Sequence, residues 1–218
     1  MNEGMILAIA ITLGVILISM TLHEAMHAFV AYWLGDDTAK REGRLTLNPI
    51  KHIDPILTVL LPVTLAIAGL PIFGGARPVP FRPDQVRYEE WGAALVAIAG
   101  PLTNLFIAFV FFGVGTVLGY DLTDYGYSSI PEMVVTYGIL INLGFFVFNM
   151  IPLPPLDGSR VLYALAPEIV RRGMEIIEQY GLIFVFAFVL LASSFIGTIM
   201  GVAINAIIQL FAKIFMVG

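Results

Sequence analysis

Long stretches without a charged side chain recur through this chain, at residues 5–22, 93–118, 134–149 and 182–212. About 20 apolar residues are enough for a helix to cross the roughly 30 Å hydrocarbon core of a bilayer. In lipid a spanning segment must satisfy its backbone groups internally, and runs of this kind can do so only as helices. The composition agrees: of 218 residues, 59% are hydrophobic and 12% charged, where soluble domains average about half and a quarter. The chain therefore reads as an integral membrane protein of about four to seven spans. Little is left for a soluble unit, so any chemistry must sit in the bilayer or at its edge. The absence of cysteine excludes disulfides, thiolate zinc sites and cysteine nucleophiles, and a net charge of −5 leaves no footprint for nucleic acid. The first residues, Met1 to Gly4, lack a positively charged leader region, so the first apolar run is expected to remain as a span.

Residues 5–33 read as one long helix interrupted by His23, Glu24 and His27 and stopped by Gly35-Asp36-Asp37. Residues 36–54 are polar and basic, and Arg44-Leu45-Thr46-Leu47 has the pattern of a short strand. Residues 56–70 are apolar but short, with Pro62 and Gly69 inside and Pro55 and Pro71 at the ends. An extended, turn-rich stretch follows around 75–81, marked by Gly74, Gly75, Pro78 and Pro80. Spans are expected at 93–118 and 134–149, after which Pro152, Pro154 and Pro155 force non-helical backbone up to Asp157-Gly158. Val161, Leu162, Leu165, Ile169, Met174 and Ile177 recur at helical spacing among charges, the pattern of an interfacial amphipathic helix. Residues 182–215 exceed one upright span, and Ser193-Ser194, Gly197 and Gly201 mark where a break would fall. The expected fold is thus an all-α polytopic membrane protein, a single domain over 1–218. Its core lies within 5–165, its C-terminal membrane helices at about 180–216, and its short β or extended segments near 44–48 and 75–81.

Charge decides how 56–70 should be read. If that segment spans, Lys40, Arg41, Arg44 and Lys51 fall on one side and Arg77, Arg82 and Arg87 on the other. If it is re-entrant, all seven share a side with Arg160, Arg171 and Arg172, while the loop 119–131 has no Lys or Arg. Only the re-entrant reading obeys the positive-inside rule at every connection. It places the N-terminus outside and residues 36–91 in the cytoplasm.

His23-Glu24-Ala25-Met26-His27 has the form H-E-x-x-H. On a helix this spacing puts two imidazoles on one face, one turn apart, able to share a zinc ion with Glu24 close by as a base. The alternative is a polar patch satisfied by neighbouring helices, but three ionisable groups within five residues of a span each cost a few kcal/mol unless paired or coordinated. A catalytic zinc needs a third protein ligand and an open position. His52 and Asp54 lie in a basic loop where a histidine is ordinarily solvated. Asp157 ends irregular backbone that, at membrane depth, requires a polar cavity or burial in protein. From chemistry alone Asp157 is equally a ligand or a helix N-cap.

The H-E-x-x-H motif, Gly100-Pro101-Leu102-Thr103-Asn104, and Asn149-x-x-Pro152 leading to Leu156-Asp157-Gly158 together resemble the site-2 proteases, the zinc intramembrane metalloproteases. The resemblance spans residues 20–165. The stretches from Gly43 to Pro55 and from Gly75 to Pro80 are similar to its compact prokaryotic branch, and no PDZ domain fits between Asn104 and Asp157. It implies one Zn2+ held by His23, His27 and Asp157, with Glu24 as catalytic base. It also implies a three-helix core at 5–33, 93–118 and 134–150, whose first two helices run in opposite directions, as the charge pattern requires. Asn149 is implied as a substrate or oxyanion contact with Asn104 supporting the site, where each could otherwise simply bond between helices.

The function expected is hydrolysis of a peptide bond in or near the transmembrane helix of a membrane-protein substrate, in a prokaryotic cell membrane. A substrate helix would have to unwind first, since its carbonyls are hydrogen-bonded, and segments 44–48 and 75–81 could pair with it as an added strand. A membrane metal-binding or transport protein is the competing reading. It would ordinarily line a polar path through both leaflets, yet 5–22, 93–118 and 182–212 contain no acidic residue.

Overall fold

The computed structural model describes residues 3–55, 60, 64, 77–122 and 127–217. Helix α1 (Glu3–Trp33) is followed by a single turn, α2 (Thr38–Arg41), and then by two long helices, α3 (Glu89–Val117) and α4 (Ile130–Asn149). A short helix, α5 (Asp157–Leu165), leads into α6 (Glu168–Leu191) and α7 (Ser193–Phe215). Among the described residues four helices, α1, α3, α4 and α7, are long and apolar enough to cross a membrane, or five if the bent α6 counts as one span, which makes this an all-α, multi-pass membrane protein.

Local sequence accounts for the ends. Gly35 takes φ +114, closed to most L-residues, and the Asp36 N–H bonds back to the Ala31 carbonyl to finish α1. Ser129 caps α4 by accepting from the Glu132 N–H, while the Glu132 carboxylate accepts from the Ser128 N–H and hydroxyl. Proline at 167 ends the amphipathic stretch that the pattern joins from 161 to 177, so it forms two helices, α5 and the start of α6. Helix α6 then bends by 94° at Gly181, and the long apolar C-terminal run breaks at Ala192, beside the serine pair.

Helix α3 is central and touches α1, α4, α5 and α7. Phe112 and Leu143 are fully buried between α3 and α4, and Phe211 of α7 meets Phe112 ring to ring at 5.6 Å. The Arg87 N–H donates to the Leu34 carbonyl at 2.9 Å, so the chain returns to the end at which α1 leaves before α3 begins. Buried Asp36 ties the same junction, accepting from the Thr38 and Arg82 N–H groups. Burial works against its charge, yet those hydrogen bonds prevail and hold its carboxyl below the ordinary range.

Among the described residues there is no strand. Residues 44–48 are irregular, with a bend at 45–46, fixed by side chains instead of a ladder: Arg44 donates to the Arg77 carbonyl and His52 Nε2 contacts the Thr46 carbonyl. His52 is buried, not solvated as a loop histidine would be expected to be, and its carbonyl accepts from the Arg77 N–H. The segment 56–70 lies almost wholly outside the described residues.

Candidate metal centre

His23 and His27 sit ten and six residues before the end of α1, roughly 15 and 9 Å from it at the helical rise. Their side chains are buried and face α3, which is shaped to receive them. A Cβ at Gly100 would lie 2.4 Å from His27 Nε2 and 2.6 Å from His23 Nε2, so only glycine leaves room for the pair. Pro101 withholds the helical donor from the Ala97 carbonyl. One residue earlier, the Val96 carbonyl accepts from His27 Nδ1 at 2.7 Å. His23 Nδ1 meets Asn104 Oδ1 at 2.6 Å.

Asp157 arrives from the other side. It is the first residue of α5, whose cap position is Leu156, so its carboxylate does not cap the helix. Gly158 seats the turn, since a Cβ there would lie 2.4 Å from the Met150 carbonyl oxygen. Asp157 Oδ2 lies 3.2 Å from His23 Nε2 and 3.6 Å from His27 Nε2, and the two Nε2 atoms are 3.0 Å apart.

Each Nδ1 faces a carbonyl-type oxygen and so carries a ring hydrogen, and in the neutral imidazoles this leaves a lone pair on each Nε2. Three electron pairs therefore converge, and Asp157 Oδ2 is buried without a hydrogen-bond partner. A cation at the centre resolves that repulsion. Ligands about 2.1 Å from a tetrahedral zinc stand roughly 3.4 Å apart, and the observed edges of 3.0, 3.2 and 3.6 Å bracket that value. The residues thus fit a zinc ion, and they form the one His, Asp or Glu group able to hold a metal among the described residues.

Glu24, buried beside His23, accepts a hydrogen bond at Oε2 from the Val79 N–H at 2.9 Å. The strap carrying Val79 is clamped twice more, through the Arg77 carbonyl and N–H already described. Arg44, which makes one of those clamps, is itself buried; burial first, then the charge of Arg77, lower its pKa, opposed by Glu24 and Glu42. Pro78 and Pro80 have no N–H, and those of Arg77 and Val79 are taken. Within 77–80 an incoming strand would therefore meet carbonyl acceptors only, and the Val79 N–H of this strap steadies Glu24.

Of the two asparagines singled out in the sequence, Asn104 is fully buried and joins the cluster through His23, its amide nitrogen donating to Asn142 at 2.9 Å. The Asn149 amide donates to the Phe145 carbonyl one turn back, and among the described residues it has no hydrogen bond to the cluster. Asn142 was not anticipated, although an amide in an apolar span was a visible signal. The roles of Val96 and Val79 belong to backbone atoms and had no signal in sequence.

The family model of Peptidase family M50 matches residues 124–193, a stretch containing Asn142, Asn149 and Asp157. YwhC of Bacillus subtilis (strain 168), which bears the provisional name of a zinc metalloprotease, is 41% identical over 204 residues, covering 92% of this chain and 90% of that protein. Rip2 of Mycobacterium tuberculosis (strain H37Rv), provisionally named in the same way, is 31% identical over 193 residues, covering 85% and 68%. No solved structure matches the chain at a comparable level of significance. With that identity along nearly the whole of both chains, and a zinc-shaped triad inside a helical membrane bundle, this chain belongs to peptidase family M50, the site-2 protease family, and is a zinc metalloprotease.

Proposed function

We propose that the protein hydrolyses a peptide bond in or near the transmembrane segment of a membrane-protein substrate, with Glu24 as general base and His23, His27 and Asp157 holding one zinc ion. The observation that carries this reading is the convergence of three lone pairs on one buried point with Glu24 alongside, on a helix long enough to span. Zinc, when bound, supplies Lewis acidity, making water acidic enough to lose a proton near neutral pH and polarising a carbonyl. Glu24 takes that proton, and we assign the transfer to Oε1 because Oε2 is oriented by the Val79 N–H. The same carboxyl then returns the proton to the departing amine nitrogen, so the base is regenerated. Asn149, at the last turn of α4, is assigned to contact substrate backbone through its Oδ1 and second amide hydrogen, since the bond to the Phe145 carbonyl occupies only one amide hydrogen.

The site lies toward the end of α1 that the charge pattern places in the cytoplasm, so water reaches it from that side. The whole chain acts as one protease domain. The test is zinc content together with cleavage of a single-span reporter. Glu24→Gln should keep zinc and lose cleavage by about 10²- to 10⁴-fold. Asp157→Ala should lose zinc itself. Undiminished cleavage by either variant would overturn the assignment. A metal carrier with no peptidase chemistry would bind zinc in both the wild type and Glu24→Gln and cleave with neither.

A further inference from the structure

We infer that Asn142 is a positioning residue that sets the tautomer of His23 and thereby decides whether His23 can ligate a metal. The inference rests on the proposed ligand role of His23 and adds the device that prepares it.

One group in the network cannot change its role. The Gly138 backbone carbonyl can only accept a hydrogen bond, and the Asn142 side chain lies 2.8 Å from it. The atom facing Gly138 must therefore be the Asn142 nitrogen, which turns Asn142 Oδ1 the other way. That oxygen, also an acceptor only, stands 2.9 Å from the Asn104 amide. Asn104 must meet it with Nδ2, which turns Asn104 Oδ1 toward His23. The 2.6 Å contact there then requires a hydrogen on His23 Nδ1, and a neutral imidazole with its hydrogen on Nδ1 presents a lone pair at Nε2.

Each link is forced by the one before it, from a backbone carbonyl in α4 through α3 to the ring in α1. Both asparagines are fully buried, so the amides have no exposure to solvent through which to satisfy a flipped orientation. Without Asn142, nothing in this chain of contacts chooses between the two orientations of the Asn104 amide. The flipped orientation would present Nδ2 to the ring, draw the hydrogen to His23 Nε2 and close that nitrogen to a metal. His27 needs no such device, because its Nδ1 already faces the Val96 backbone carbonyl.

The experiment is 15N spectroscopy of the imidazoles in metal-free protein reconstituted in lipid nanodiscs, paired with zinc retention against a chelator. The chain has 3 histidines, so the resonances can be assigned by single substitution. The wild type should show His23 and His27 both with hydrogen on Nδ1; a His23 with hydrogen on Nε2 and none on Nδ1 would overturn the proposal without any variant being made. Asn142→Leu removes the acceptor and should shift His23, but not His27, toward the Nε2–H form, with zinc affinity falling about 10- to 100-fold. An unshifted His27 shows that the bundle is intact.

Asn142→Asp should restore both readouts. As an acid its hydroxyl donates to Gly138 and its carbonyl accepts from Asn104, and as a carboxylate it still accepts from Asn104. A Leu variant whose His23 stays in the Nδ1–H form sinks the inference, whatever happens to zinc. A tautomer shift with zinc affinity unchanged supports the positioning role and sinks instead the assignment of His23 as a ligand.

Discussion

Replacing Gly100 by alanine adds one methyl group at the point where it discriminates most. The new carbon would lie 2.4 Å from His27 Nε2, 2.6 Å from His27 Cε1 and 2.6 Å from His23 Nε2. Non-bonded heavy atoms prefer at least about 3.5 Å, so each imidazole must retreat by roughly 1 Å or α3 must move away from α1. Zinc sites tolerate displacements of only about 0.2 Å, so a retreat of that size removes coordination. Two effects oppose each other in the stability of the metal-free protein. Alanine gains about 1 kcal/mol of helix propensity over glycine, and overpacking costs about 1–3 kcal/mol. The fold should therefore survive with a modest loss, while zinc affinity drops by roughly a hundredfold or more, beyond what loss of a supporting contact causes.

The assay is metal content by mass spectrometry after chelator challenge, with helicity and reporter cleavage measured on the same preparation. Gly144→Ala in α4 is the control, because a Cβ there meets nothing within 4 Å; it should keep zinc and gain slightly in stability. If Gly100→Ala retains zinc and cleaves normally, the Gly100 turn is not the floor of the metal site.

Three further outcomes follow from the loops. Asp36, whose folded pKa is depressed below the ordinary 3.8, contributes stability that is present above that value and lost as pH falls through its folded pKa. Asp36→Asn should therefore lower the melting temperature at pH 7, at a cost of about 1–3 kcal/mol, and the gap to wild type should close in acid; an equal gap at pH 7 and pH 3 would contradict it. Arg44→Gln should loosen the 77–79 strap and lower kcat about tenfold at unchanged zinc content, because the clamp on the Arg77 carbonyl is lost while the metal ligands are untouched; loss of zinc with it would show a different role. Because the chain has no cysteine, Glu42→Cys and Tyr127→Cys give clean accessibility probes at two exposed sites. An impermeant maleimide should label the first from the cytoplasmic side and the second from outside, and the reverse pattern would invert the topology read from charge.

The sequence by itself determined that this chain lives in a membrane and where most of its helices begin and end, and it nominated the residues to test as metal ligands and base. Scarcity explains that legibility. In a chain with 12% charged residues, His23, Glu24, His27 and Asp157 stand out because an ionisable group at membrane depth is costly without a purpose. Helix ends were readable at Gly35 and Pro152, where the break is covalent in origin. At Pro167 the same signal was overridden in reading by helical periodicity running across it.

Tertiary structure alone decided how the site is prepared. The hydrogen on His27 is set by a backbone carbonyl at Val96, Glu24 is aimed by a backbone N–H at Val79, and backbone groups look the same at every position of a sequence. Whether Asn104 supports a ligand or Asn149 reaches the cluster depends on helix rotation, which apolar runs do not encode because either face is acceptable to lipid. The expected strand near 44–48 gave way to bends because Arg44 and His52 bond across the loop, contacts between residues 33 and 6 positions apart. Pairings of that kind are chosen by packing in three dimensions, and local pattern carries no record of them.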